Sequence, residues 1–145
     1  MIDLGSDDLE DQLRRADPDR WLAARLIEDA TKRAHVDAVY LFNHELARAA
    51  EVTSQPLVGE MRLAWWGEAV TEIYEGERVR SHPVAHALEH AVRDHQLPRP
   101  LLEGMVEARL RDLDAAPMTG AEVAPYCDAT AGAVMALAAQ ILSPA

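Results

Sequence analysis

The chain has 145 residues, 49% of them apolar, enough for one domain with a real core and too many for disorder. Its net charge of −11 repels phosphate backbones and excludes a nucleic-acid partner from the main expectations. Ala, Leu, Glu and Arg dominate while β-branched runs and aromatics are few, which is a helical composition.

Residues 1–16 are polar and are expected to be frayed, within a flexible acidic N-terminus that runs to residue 18. The acids Asp3, Asp7, Asp8, Glu10 and Asp11 are the reverse of a mitochondrial presequence. Asp17-Pro18-Asp19 marks a helix start, because Pro suits the first turn and acids suit the positive end of the dipole. A first short helix is expected from Asp19 to about Ile27. A second, from Ala30 to Val52, aligns Val36, Val39, Tyr40, Asn43 and Ala47 at steps of three and four. Thr53-Ser54-Gln55-Pro56 breaks it. A third, from Leu57 to Tyr74, is expected to turn Met61, Ala64, Trp65, Ala69 and Ile73 inward.

Gly76 and Ser81-His82-Pro83 mark the next loop. The fourth helix, Val84 to about His95, buries Val84, Leu88, Ala91 and Val92, and Leu97-Pro98-Arg99-Pro100 stops it. The fifth, Leu101 to about Asp114, carries Leu102, Met105, Val106 and Leu113. Thr119 and Glu122 form a capping box that opens a last helix reaching Leu142. No run alternates with period two, so the expected fold is all-α, about six helices, with the folded domain at residues 19–145.

Cys127 is the only cysteine, so no intramolecular disulfide forms, and a reducing compartment is expected. It reads as a small buried hydrophobe. The longest apolar window, Ala129 to Leu142, falls short of the roughly 20 residues a spanning helix needs. A cytoplasmic protein, touching the inner membrane at most peripherally, is expected.

Ala38 to Glu51 reads AVYLFNHELARAAE. After it come Gly59 to Trp66 (GEMRLAWW), His82-Pro83-Val84 with Ala87-Leu88, Glu107 to Leu113 (EARLRDL), and Tyr126 to Gly132 (YCDATAG). This ordered series resembles the squalene/phytoene synthase family over about residues 20–142. The resemblance implies an isoprenoid-synthase-like helical bundle, of which this chain covers the N-terminal half. The family's DDxxD-type positions fall at Ala47, Arg48 and Glu51, and its second aspartate motif lies further along than residue 145.

Those aspartates matter because Mg²⁺ takes oxygen ligands, mainly carboxylates and water, to bridge a diphosphate to protein. Carboxylates at i, i+4 share one helix face and can share the ion. Ala-Arg-x-x-Glu carries no net negative charge. With a unit charge pair about 4 Å apart worth about 4 kcal/mol at an effective dielectric near 20, that change removes the basis of a Mg²⁺ site. The combination FNHELARA with RLAWW resembles the family's non-catalytic branch, whose mitochondrial members are assembly factors for respiratory complex I. A non-catalytic assembly or binding factor without cofactor is therefore expected. The alternative is a Mg²⁺-dependent transferase on farnesyl or geranylgeranyl diphosphate, with Glu51 and either Glu45 or Asp112 holding the ion. The expected partner is a protein, or a second copy, meeting an apolar helical face; an isoprenoid or lipid ligand stays open.

Individual side chains carry two readings. Asn43 either bonds a ligand or is a satisfied buried amide that fixes helix register. Arg48 either grips an anion or pairs with Glu45 or Glu51. His82, His86 and His90 have zinc-compatible spacing but read as a solvated face, because position 86 lies far from the apolar stripe. Glu103 is expected to face water and Glu107 to pair with Arg111. Adjacent Trp65 and Trp66 point about 100° apart, with Trp65 assigned to the core and Trp66 to the cavity or a partner. By resemblance Asp112 and Tyr126 reach the family cavity, and Arg109 shares the Asp112 stretch. The candidate contacts are thus Tyr40, Asn43, Trp66, Arg109, Asp112 and Tyr126, with no metal-ligand set.

Overall fold

The computed structural model describes residues 4–144, with side chains from residue 7 onward. Its helices are α1 (Leu4–Ala16), α2 (Pro18–Ala24), α3 (Ala30–Glu51), α4 (Pro56–Glu75), α5 (Pro83–His95), α6 (Arg99–Ala108), α7 (Gly120–Cys127) and α8 (Ala133–Leu142). A 3₁₀ turn, Arg109–Leu113, extends α6, and a π segment, Asp128–Gly132, joins α7 to α8. There is no strand among the described residues, as an all-α fold requires.

Helix α3 is the axis of the bundle, with α1, α4, α5 and α8 packed around it. Asp29 caps its start, accepting from the Thr31 and Lys32 amides at 2.9 and 3.0 Å. Because neighbours surround it, α3 buries residues on most of its circumference: Val36, Val39, Leu41, Phe42, Leu46 and Ala49. Leu63 and Val70 of α4, Leu88 of α5, Leu102 and Met105 of α6, and Leu137 and Ile141 of α8 complete one core. At Gly59, α4 approaches α3 so closely that a Cβ would come within 3.2 Å of the Ala49 carbonyl oxygen and run into Leu113. Gly76, at φ +71°, ends α4 in the left-handed region.

The N-terminal expectation is corrected from residue 4 onward; residues 1–3 lie outside the described residues. Helix α1 is formed and Leu13 is fully buried. Its few apolar residues, Leu9 and Leu13, are one turn apart and both meet the core, so tertiary docking outweighs the polar composition. Gln12 reaches Glu45 of α3 at 3.4 Å.

Two other helices depart from expectation in their details. The fifth expected helix tightens into the 3₁₀ turn before Asp114, whose amide donates to the Arg111 carbonyl at 3.2 Å. The last one is interrupted: Pro125 inside α7 has no N–H to give the ladder, and the π segment begins a few residues on. Its capping box is present, with the Thr119 amide donating to Glu122 at 2.7 Å.

On α4 the inward face is Leu63, Trp66, Ala69, Val70 and Ile73. The assignments of the paired tryptophans are therefore reversed at the core: Trp66 is 5% exposed, while Trp65 is half-buried and Met61 is 65% exposed. Apolar residues occur almost all round α4, so period alone did not select the face. Cys127 is exposed rather than buried, because α7 buries no residue.

Candidate functional site

One polar constellation joins α3, the 3₁₀ turn and α7. The Arg109 guanidinium donates through Nη2 to Asn43 Oδ1 at 3.3 Å, and through Nη1 to the Tyr126 hydroxyl oxygen at 2.9 Å and to Asp112 Oδ2 at 3.2 Å. Tyr126 in turn donates its hydroxyl proton to Asp112 Oδ1 at 2.5 Å. The sequence reading named all of these residues, and the structure brings them together. Burial, and then the bond to Asp112, push the Tyr126 hydroxyl above its usual pKa, so it stays a donor.

The arrangement is closed. Asp112 engages both its oxygens and neutralises Arg109, and Asn43 is a buried amide whose oxygen is satisfied. Such a set is satisfied within itself and presents no carboxylate pair aimed at open space. Among the described residues no group of three or more His, Cys, Asp or Glu side chains converges as metal ligands would.

The degenerate aspartate-motif positions lie beside it on α3. Ala47 offers only a methyl group. Arg48 pairs with Glu45 at 3.5 Å, and Glu51 is the exposed last residue of the helix. Tyr40, half-buried, stacks under Arg20, whose guanidinium carbon is 5.7 Å from the ring centroid. It is not hydrogen-bonded into the Arg109 set. Trp66 is separate too: it packs edge-to-face on Phe42 at 5.7 Å and on His82 at 5.0 Å, on the α4-facing side of α3.

Further expectations about surface charge are revised. Glu103 is paired with Arg99 at 2.6 Å rather than simply facing water. Arg111 pairs with Asp114 and Glu122, at 3.5 and 3.4 Å, and not with Glu107, because the 3₁₀ turn breaks the i, i+4 alignment. His86 and His90 are exposed, but His82 differs: its Nδ1 accepts the Val84 amide at 3.1 Å and caps α5.

Other polar groups escaped the sequence reading because their partners sit on different helices. Buried Asp37 is tied to Arg25, which also meets Glu10 at 2.5 Å, and burial raises the Asp37 carboxyl. His35 Nδ1 and His95 Nε2 share a hydrogen bond of 2.9 Å. Arg80 grips Glu72 at 2.6 Å and Glu68 at 3.0 Å while lying 4.9 Å over Trp65. Two clefts also lie elsewhere. One, of about 550 Å³, lies among α1, α3 and α5 beside His35 and Asp37. Another, of about 460 Å³, opens between α3, α4 and the start of α5 beside Trp65 and His82.

The squalene/phytoene synthase family model matches residues 13–145. The chain belongs to the squalene/phytoene synthase family. It is similar to NADH dehydrogenase (ubiquinone) complex I, assembly factor 6 of Homo sapiens, 32% identical over 131 residues. The protein of the same name from Bos taurus is 31% identical, and that from Mus musculus 30%, each over 131 residues. Each match covers 90% of this chain and 39% of the relative, so the chain spans about two-fifths of the length of these proteins. No solved structure gives a significant match.

Proposed function

We propose that this squalene/phytoene synthase family chain is a non-catalytic assembly or binding factor, acting in assembly of respiratory complex I as its relatives' name describes. The observation that carries this reading is the aspartate-motif turn of α3. Ala47 has no ligand atom, Arg48 is a cation paired with Glu45, and Glu51 stands alone at the helix end. A Mg²⁺–diphosphate clamp needs clustered anionic oxygens there. Asp112, the other acid on this side, is held by Arg109 and Tyr126.

In this reading the protein works without cofactor, through a protein partner or a second copy. Exposed apolar side chains such as Leu26, Leu57, Met61 and Met135 give such a partner area to cover. It works in the cytoplasm or at the inner-membrane surface; no described helix is long and apolar enough to cross a membrane. An isoprenoid or lipid near Tyr40 and Asn43 would be bound cargo rather than substrate.

The test has two arms. Incubation with farnesyl or geranylgeranyl diphosphate and Mg²⁺ is expected to release no pyrophosphate above background, and deletion of the gene is expected to lower assembled complex I. Mg²⁺-dependent turnover abolished by Glu51→Gln would replace this reading with a transferase.

A further inference from the structure

The cleft between α3, α4 and the start of α5 is built differently from the Arg109 constellation. Its floor is aromatic: Trp65 and Trp66 meet edge-to-face at 4.9 Å, and His82 lies 5.5 and 5.0 Å from them. Val58 and Met61 form an apolar wall, and Glu45 supplies a carboxylate. The side chain of Glu45 is only 13% exposed. Its recorded contacts, Gln12 at 3.4 Å and Arg48 at 3.5 Å, are long and both fall on Oε1. Oε2 has no partner among the described residues, and a mostly buried carboxylate with a free oxygen accepts from a charged donor.

His82 does not oppose a cation here. Its Nδ1 accepts the Val84 amide, which places the proton of the neutral ring on Nε2. Burial holds the ring below the usual histidine pKa. Arg62, the cation in the lining, is on the exposed rim, where solvent screens it. Trp65 already carries one guanidinium, that of Arg80 at 4.9 Å, so an incoming side chain meets this ring with its stem and not with its charged head. The chain's net charge of −11 adds a general attraction for a basic partner.

We propose that this cleft receives an arginine or lysine side chain from a protein partner, its aliphatic stem on Met61 and Trp65 and its charged head on Glu45. Such side chains combine an apolar stem with a cationic tip, which is the pairing that wall and carboxylate present. The identification of the donor as a protein rests on the assembly-factor reading; the site itself does not.

Titration of the full chain with N-acetyl-arginine amide, followed by NMR at the indole N–H groups, tests the site. Saturable shifts are expected at Trp65 and Trp66 and not at Trp21, with a Kd at least tenfold weaker in Glu45→Gln. N-acetyl-norleucine amide is expected to give none. Met61→Lys, at a rim position 65% exposed, is expected to fold and to abolish binding, and decides the matter if Glu45→Gln fails to fold. Absence of saturation, equal binding by Glu45→Gln or Met61→Lys, or equal binding of norleucine would overturn the proposal. None of these outcomes touches the turnover assay, so the failure of one reading is separable from failure of the other.

Discussion

Arg109 and Asn43 are 66 residues apart in sequence and joined at 3.3 Å, fastening the 3₁₀ turn to the central helix. The side chains of Arg109 and Asp112 are 16% and 19% exposed, so this is a mostly desolvated pair. Removing one member leaves the other charge without its partner.

Asp112→Ala is accordingly expected to destabilise the fold by about 1–3 kcal/mol, the range for stranding a buried hydrogen-bonding group. Urea denaturation measures this. A double-mutant cycle of Asp112→Asn with Tyr126→Phe should show non-additivity, since the two side chains share one bond. Additive losses would mean the pair is not coupled.

The His35–His95 contact makes stability depend on pH. His35 is buried, and burial, followed by His95, lowers its pKa from 6.5, against the opposing pull of Asp94 and Asp29. His90 pushes in the same direction as His95. The unfolded chain therefore takes up a proton that the folded chain resists. The stabilising contribution is present above the unfolded value of 6.5 and is lost as pH falls through the lowered folded pKa. Thermal unfolding between pH 7.5 and 5 should show a falling Tm in the wild type and a flatter profile in His35→Asn. Parallel profiles would remove His35 as the source.

Glycines at two positions should respond oppositely to alanine. Gly59→Ala places a methyl against Leu113 and the Ala49 carbonyl, and an overpacked contact of this kind costs about 1–3 kcal/mol. Gly104 lies inside α6 with nothing within 4 Å of an added Cβ, so Gly104→Ala should stabilise by about 0.5–1 kcal/mol through helix propensity. Calorimetry of the two variants checks the sign of each.

The adjacent tryptophans give a further contrast. Trp66→Ala empties a core site and is expected to cost about 3–5 kcal/mol. Trp65→Ala removes a half-buried ring under Arg80 and should cost clearly less. A larger loss at Trp65 in chemical denaturation would contradict the inward face described for α4.

Where the sequence carried a local signal, the fold was legible. Asp17 with Pro18, and Thr119 with Glu122, start helices, Gly76 stops one, and α5 turns inward the very residues its period selected, Val84, Leu88, Ala91 and Val92. Helix α4 was not legible in the same way, because a helix apolar nearly all round has no unique inward face until a neighbour chooses one. Helix α1 was missed because Leu9 and Leu13 acquire their worth only from the surface they dock on.

By itself the sequence determined an all-α chain, its breaks, its family and the loss of the aspartate cluster, since each is written in residues adjacent or a few positions apart. The tertiary structure alone decided that Arg109 meets Asn43, that Glu45 sits beside Trp65 and His82, and that His35 meets His95. Those relations join different helices, and no periodicity along one helix encodes the distance to another.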